Sequence, residues 1–342
     1  MELTTLWFFI VGVLLIGYFV LDGFDFGVGM SLPFLGKDNT DRRLLINTIG
    51  PVWDLNETWL IVAGASLFAA FPEWYATMFS GFYLALLLIL VALILRGVSF
   101  EYRHQGKGEK WTRWYDQFIF WGSLLPPLLW GVAFANLAQG LPIRPMDGGG
   151  WLFEGTLLTL LNPYGLLGGI TVTLIVFTHG LVFISLKTMG EMRENARKLA
   201  SKVGIAAIVA GAAFLIWTIL QHLQSETLWA IIACSAIAAV ALIGGWLANF
   251  AGREGWAFTA NAAAIVFALL AIFMALYPNL MHSSIDPAYS MSIEGAASSQ
   301  KTLELMTWVA LIVMPLVLAY QAWTYWIFRK RLSRDAIPAE AH

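Results

Sequence analysis

The chain has 342 residues, of which 59% are hydrophobic and 12% charged, and its formal net charge is −2. A soluble chain of this length cannot hide so much apolar surface, and so small a charge gives no ground for nucleic acid as a partner, so lipid is the solvent the composition fits. One cysteine, Cys234, lies inside an apolar run, so neither a disulfide framework nor a thiolate metal site can form within the chain, and its expected role is packing.

Crossing a hydrocarbon core of roughly 30 Å takes about 20 apolar residues. Runs of that length, bounded by charges, Pro and Gly, fall at 6–31, 50–71, 75–100, 114–138, 160–187, 203–222, 227–250, 256–277 and 302–328. Each must be helical, because lipid offers the backbone no hydrogen-bond partner, and the period-two alternation of a barrel is absent. The expected fold class is an all-α integral membrane protein of about nine transmembrane helices, one domain over residues 1–342, laid out as two four-helix bundles plus one peripheral helix. No basic residue precedes the first apolar run and no small-residue cleavage pattern follows it, so that helix is expected to stay in the mature protein.

Placing the N-terminus outside puts most of the positive charge inside: Lys37, Arg42, Arg43, Arg103, Lys107, Lys110, Arg113, Lys187, Arg193, Arg197, Lys198, Lys202, Arg253, Arg329, Lys330, Arg331 and Arg334. Arg144 and Lys301 are left outside, and Arg96 stands near a helix end. An odd number of spans fits this pattern and leaves the C-terminus cytoplasmic. The two long outer loops, 139–159 and 278–301, contain no ligand pattern and read as a cover over the bundle or a partner contact. The tryptophans, among them Trp7, Trp53, Trp74, Trp111, Trp114, Trp151, Trp229 and Trp308, gather near span ends and read as interfacial anchors.

A carboxylate at mid-bilayer costs roughly 2.5 to 3.5 kcal/mol, so acids inside spans are where function is sought. Asp22 and Asp25 lie in the first span, Asp54 and Glu57 at the start of the second. Each pair is spaced i, i+3 and so shares a helix face, and both pairs fall in the cytoplasmic third, where the four carboxyls can converge. Crowded acids hold protons more tightly and could pass them inward. The competing structural reading is that Asp54 and Glu57 support a helix N-terminus after Pro51, and that Asp22 pairs with Arg96 or Arg42. Asp116 reads as an interfacial residue or cap. Of five histidines only His179 sits well inside a span, and a lone His on an apolar helix is more often packing than a haem ligand. No metal site is expected.

Six stretches carry a resemblance: Asp22-Gly23-Phe24-Asp25-Phe26-Gly27-Val28-Gly29-Met30, Pro51-Val52-Trp53-Asp54-Leu55-Asn56-Glu57-Thr58-Trp59-Leu60, Ala69-Ala70-Phe71-Pro72, Ser80-Gly81-Phe82-Tyr83, Leu161-Asn162-Pro163-Tyr164-Gly165-Leu166-Leu167 and Met306-Thr307-Trp308-Val309-Ala310. In these the chain resembles subunit II of the bacterial cytochrome bd quinol oxidases. The resemblance implies a heterodimer with a homologous subunit I in the bacterial cytoplasmic membrane, and leaves the presence of small single-helix accessory subunits open. It implies that quinol is oxidised and dioxygen reduced to water, with protons for water drawn from the cytoplasm and without a pump, generating proton motive force. It implies further that two b-type haems and one d-type haem belong to subunit I and none to this chain, and leaves a bound quinone as an open question. Asp25 and Asp54 match acids discussed for proton entry and Asp22 belongs to the same signature; Trp53 and Asn56 match supporting positions, whereas relatives can carry an amide at Glu57. Two other classes compete: a cation-coupled secondary transporter, which would need matching acids in the second half, and an assembly subunit without a proton role.

Overall fold

The computed structural model describes residues 2–106 and 108–337, so Lys107 and His342 lie outside the described residues. The helices are α1 (Leu3–Leu35), α2 (Asn39–Ile49), α3 (Trp53–Ala70), α4 (Pro72–Gly81), α5 (Tyr83–Tyr102), α6 (Glu109–Gln139), α7 (Leu157–Leu160), α8 (Pro163–Lys187), α9 (Gly190–Gln221), α10 (Leu228–Phe250), α11 (Glu254–Leu276) and α12 (Gln300–Ile327). Eight of them, α1, α5, α6 and α8 through α12, are long and apolar enough to cross a membrane. The second span of the sequence reading, α3, falls short of them because Asp54, Asn56 and Glu57 occupy its first turns; counted with the eight, it brings the number of spans among the described residues to about nine.

Several boundaries differ from the sequence reading for identifiable reasons. Residues between the first two spans form α2, a surface helix that buries Leu44, Leu45 and Ile49 and is too short and polar to register in a membrane-length window. Asp38 caps it, accepting from the Asp41 amide at 2.9 Å. That amide, helped by Arg334, holds the exposed Asp38 carboxyl below its usual range. The span read at 75–100 is two helices, broken around Phe82, where a strand presses Phe153 against Gly81 so tightly that a Cβ there would lie 2.9 Å from the ring. The helix read from 203 begins at Gly190, its first turns being basic and outside the apolar run.

The passes pack as two units, α1, α3, α5 and α6 against α8, α9, α10 and α11, with α8 seated on both α1 and α6. Only 6% of the apolar window of α12 is buried, which makes it the peripheral helix. Small residues set the seam, as close helix approach in membranes requires. A Cβ on Gly180 would lie 2.4 Å from the Gly27 Cα, and one on Gly131 would lie 2.5 Å from the Gly168 carbonyl. Gly180→Ala is accordingly expected to destabilise the chain by about 1–3 kcal/mol through overpacking, read as a lower midpoint of thermal unfolding in detergent.

At the end of the bundle that carries the N-terminus, β1 (Ile143–Pro145) pairs antiparallel with β2 (Trp151–Phe153), and β3 (Asn279–Met281) with β4 (Met291–Ser292). The two hairpins lock together, Trp151 donating to the Tyr289 carbonyl at 2.9 Å and Ser283 to the Ile143 carbonyl at 2.7 Å. They form a lid over that end. The opposite end holds α2, the short turns and the tail. Trp111, Trp114, Trp229 and Trp308 are exposed near helix ends as interfacial anchors would be, but Trp7 and Trp74 are core residues, and Trp53 is buried as well. Trp7 donates to Leu303 and Thr307 and so tethers α12.

Candidate functional site

Asp22 and Asp25 stand one turn apart on α1 and both are fully buried. Their partners differ. Asp22 Oδ1 accepts from Arg96 Nη2 of α5 at 2.8 Å, the guanidinium being as deeply buried as the acid. Arg96 also lies over the Phe26 ring at 4.3 Å and near that of Phe100 at 5.5 Å, while Trp53 closes on Phe100 at 5.0 Å. An arginine this deep has left water altogether, so the carboxylate and the two rings stand in for the lost hydration. Glycine makes the pocket: a Cβ on Gly122 would lie 2.8 Å from the Arg96 Cβ, so α6 can reach this depth only without one.

Asp25 Oδ2 accepts from Asn56 Nδ2 of α3 at 2.7 Å. The Asn56 carbonyl oxygen in turn accepts from the Tyr325 hydroxyl at 2.6 Å and lies 3.5 Å from Gln321 Nε2, both on α12. Gln321 Oε1 accepts from Trp59 at 3.0 Å. Because a carboxylate only accepts, this chain of partners fixes which way the Asn56 amide points. Tyr325 and Gln321 were invisible to a search for intramembrane acids; the available signal was two polar residues an i, i+4 step apart on a helix otherwise turned to lipid.

The four acids differ in burial, Asp22 and Asp25 being enclosed, Glu57 half-buried and Asp54 exposed. Glu57 is half-buried on α3 and interacts electrostatically with the Arg96–Asp22 pair. Asp54, one turn nearer the basic end, is exposed, and its charged neighbours are Glu101 and Glu57. The arrangement is a gradient of burial, from Asp54 through Glu57 to the two enclosed aspartates. Beyond them, Asp22 Oδ2, Asp25 Oδ1, Arg96 Nε and Nη1, the Tyr18 hydroxyl, Ser123 Oγ and Trp130 Nε1 are buried without a well-formed hydrogen bond inside the chain. Tyr18 is one turn before Asp22, and its ring is 6.4 Å from Trp130. Polar atoms left over in this density are where ordered water is found in protein interiors.

The competing pairings resolve cleanly. Arg96 takes Asp22, whereas Arg42 takes Asp116 at 2.9 Å, and Arg103 reaches the same carboxylate at 2.6 Å. Asp116 is thus a buried ion-pair centre joining α2, α5 and α6, and not the cap or interfacial residue of the sequence reading. His179 is fully buried, with Nε2 3.1 Å from the Val20 carbonyl and the ring stacked on Phe258 at 4.5 Å. Its Nδ1 is buried without a hydrogen bond, and the contacts the structure shows for the ring are packing against Phe258 and the bond to the Val20 carbonyl. Among the described residues no group of three or more His, Cys, Asp or Glu could hold a metal ion. Among the described residues the one buried acid of the second unit is Glu254, at the start of α11 and paired with Arg193; an apolar cavity of about 100 Å³ is lined by Thr171, Ile175, Phe214, Leu242 and Ile265 among others.

The chain matches the family model described as cytochrome bd terminal oxidase subunit II over residues 3–328. It is 40% identical to cytochrome bd ubiquinol oxidase subunit 2 of Bacillus subtilis over 340 residues, covering 97% of each chain. Against cytochrome bd-I ubiquinol oxidase subunit 2 of Escherichia coli it is 36% identical over 367 residues, covering 98% of this chain and 97% of that one. Its fold is that of a chain in the bd oxidase of Geobacillus thermodenitrificans, with a TM-score of 0.76 at 18% identity over 96% of this chain and 99% of the other.

Proposed function

The chain belongs to the cytochrome bd terminal oxidase subunit II family, and on that premise we propose that its first four-helix unit carries protons from the basic end of the bundle toward the haem-bearing subunit I. The protein is a subunit of a quinol oxidase, a haem-containing membrane complex with a subunit I partner. The finer assignments are our reading: quinol as donor, dioxygen as acceptor, both b haems and the d haem in subunit I, the N-terminus outside and the basic end in the cytoplasm. Reducing dioxygen to water consumes one proton for each electron, and drawing those protons from the cytoplasm while quinol releases its own outside separates charge without a pump.

Asp25 carries the proposal. It is an acid sealed from solvent, held by a single neutral amide and standing behind acids of decreasing exposure. A carboxyl that bonds only to neutral groups can gain and lose a proton without breaking an ion pair. Asp22, committed to Arg96, has the charge-balancing role, and Asp54 and Glu57 gather protons at the mouth. Trp53 and Asn56 shape the route, the first through Phe100 and Arg96, the second through Asp25 itself. A cation-coupled transporter finds no support, since among the described residues the one buried acid of the second unit, Glu254, is paired with arginines at a helix start, and the family is an oxidase family.

The test is vectorial. In the complex reconstituted in vesicles, a quinol pulse should consume protons from the compartment that faces the basic end, and Asp54→Asn should slow that consumption several-fold, because a solvated acid at the mouth is partly replaced by water. Consumption from the lid side would overturn the direction proposed.

A further inference from the structure

At the basic end, the first turns of α9, the start of α11 and the tail after α12 bring three arginines onto one carboxylate. Glu254 is buried, 6% exposed, and accepts from Arg193 Nε at 2.7 Å. Arg197 and Arg331 stand 3.9 and 3.7 Å from it, close enough for ion pairing but beyond a good hydrogen bond. The Arg197 Nε is buried with no acceptor in the chain. Gly252, at φ +74°, lets the Arg197 guanidinium lie against the turn between α10 and α11, where a Cβ would come within 3.1 Å of Nη2.

Three guanidiniums against one carboxylate leave two positive charges in excess, and most of their N–H donors unspent. Each arginine side chain is about a third exposed, at 35%, 30% and 33%, so the excess faces outward. Positive charge is expected at this end of a membrane protein, but scattered lysines and arginines would satisfy that rule. Convergence of three arginines from two separate segments onto one buried acid of a third is a built site. It also lies at headgroup depth: the apolar run of α9 starts beyond Lys202, and Phe250 and Trp256, at the adjoining ends of α10 and α11, are each 71% exposed, as acyl-facing aromatics are.

We propose that Arg193, Arg197 and Arg331 bind the phosphate of an anionic phospholipid, with Glu254 holding the three side chains in register. Planar guanidiniums suit a phosphate diester, and basic pockets between membrane helices are where such headgroups lodge. The site would thereby fasten the C-terminal tail and the second four-helix unit to one lipid. It is remote in function from the carboxylates of the first unit and stands whether or not they carry protons.

The purified oxidase complex, delipidated in neutral detergent, tests this by native mass spectrometry with added phosphatidylglycerol, phosphatidylcholine or inorganic phosphate. Phosphatidylglycerol should be retained in preference to phosphatidylcholine. Arg197→Gln and Arg331→Gln, which remove no side-chain hydrogen bond of the fold, should each lower that preference about fivefold, with Arg144→Gln at the opposite end as an unaffected control. Equal retention of the two lipids, an unchanged preference in both variants, or inorganic phosphate competing as well as the lipid would each overturn the proposal.

Discussion

Asp25→Asn in the assembled oxidase is expected to slow quinol-driven oxygen uptake by roughly 100-fold, at the low end of what a positioned acid or base contributes, while the haem absorption spectrum stays unchanged. The substitution keeps the shape of the side chain, and Asn56 Nδ2, now 2.7 Å from Asp25 Oδ2, still finds an oxygen to donate to. What disappears is the capacity to take and release a proton. Asp25→Glu should retain part of the rate, since it keeps the chemistry at the cost of one methylene in a closed site. Tyr325→Phe is a gentler version of the same test. It removes the hydroxyl that fixes the Asn56 carbonyl at 2.6 Å, so the amide can turn its oxygen toward Asp25; a several-fold loss of rate with an intact complex is the expected outcome. Uptake within about twofold of the unaltered enzyme in Asp25→Asn would reduce the chain to a scaffold.

How much of this was legible beforehand depends on what each feature needs in order to be seen. The spans were legible because burial in lipid demands a long apolar run, and that demand acts on every residue of the run. The surface helix α2 was not, since its apolar face is only Leu44, Leu45 and Ile49, too few to outweigh Asp38, Asp41, Arg42 and Arg43 in any window of membrane length. The acids stood out because charge in a span is costly; their partners did not. Nothing in the spacing of Asp22 and Asp25 says that one faces α5 and the other α3, because residues an i, i+3 step apart diverge by enough angle to meet different neighbours. The i, i+3 step also misled at α3, where Asn56, between Asp54 and Glu57, is the residue that points inward. Arg96 and Arg42 were equal candidates for Asp22 in sequence; depth along the helices decided between them.

With so little buried apolar surface, α12 is not held by packing, and its attachments are polar: Trp7 to Thr307, Trp59 to Gln321, Tyr325 to Asn56. Two of these three end on the residues that surround Asp25. The peripheral helix therefore contributes to the chemistry of the first unit more than to its stability.

Arg96→Met is expected to be the most destabilising single change, at about 3–5 kcal/mol, because it leaves the Asp22 charge buried with no counter-charge. Its signature is a steep fall in the thermal midpoint of the complex in detergent. Asp22→Leu alone should fall by a comparable amount for the mirror reason, since Arg96 has spare N–H groups already and would lose its only anionic bond. The double variant Asp22→Leu with Arg96→Met separates two roles that either single variant confounds. Replacing both members of a buried ion pair by apolar groups of similar volume is often neutral for stability, and the pocket walls here, Phe26 and Phe100, suit a methionine. If the pair were only a staple between α1 and α5, stability and oxygen uptake would return together. If it balances charge beside Asp25, stability should return while the rate stays low, because the proton now passes through a layer stripped of its dipoles.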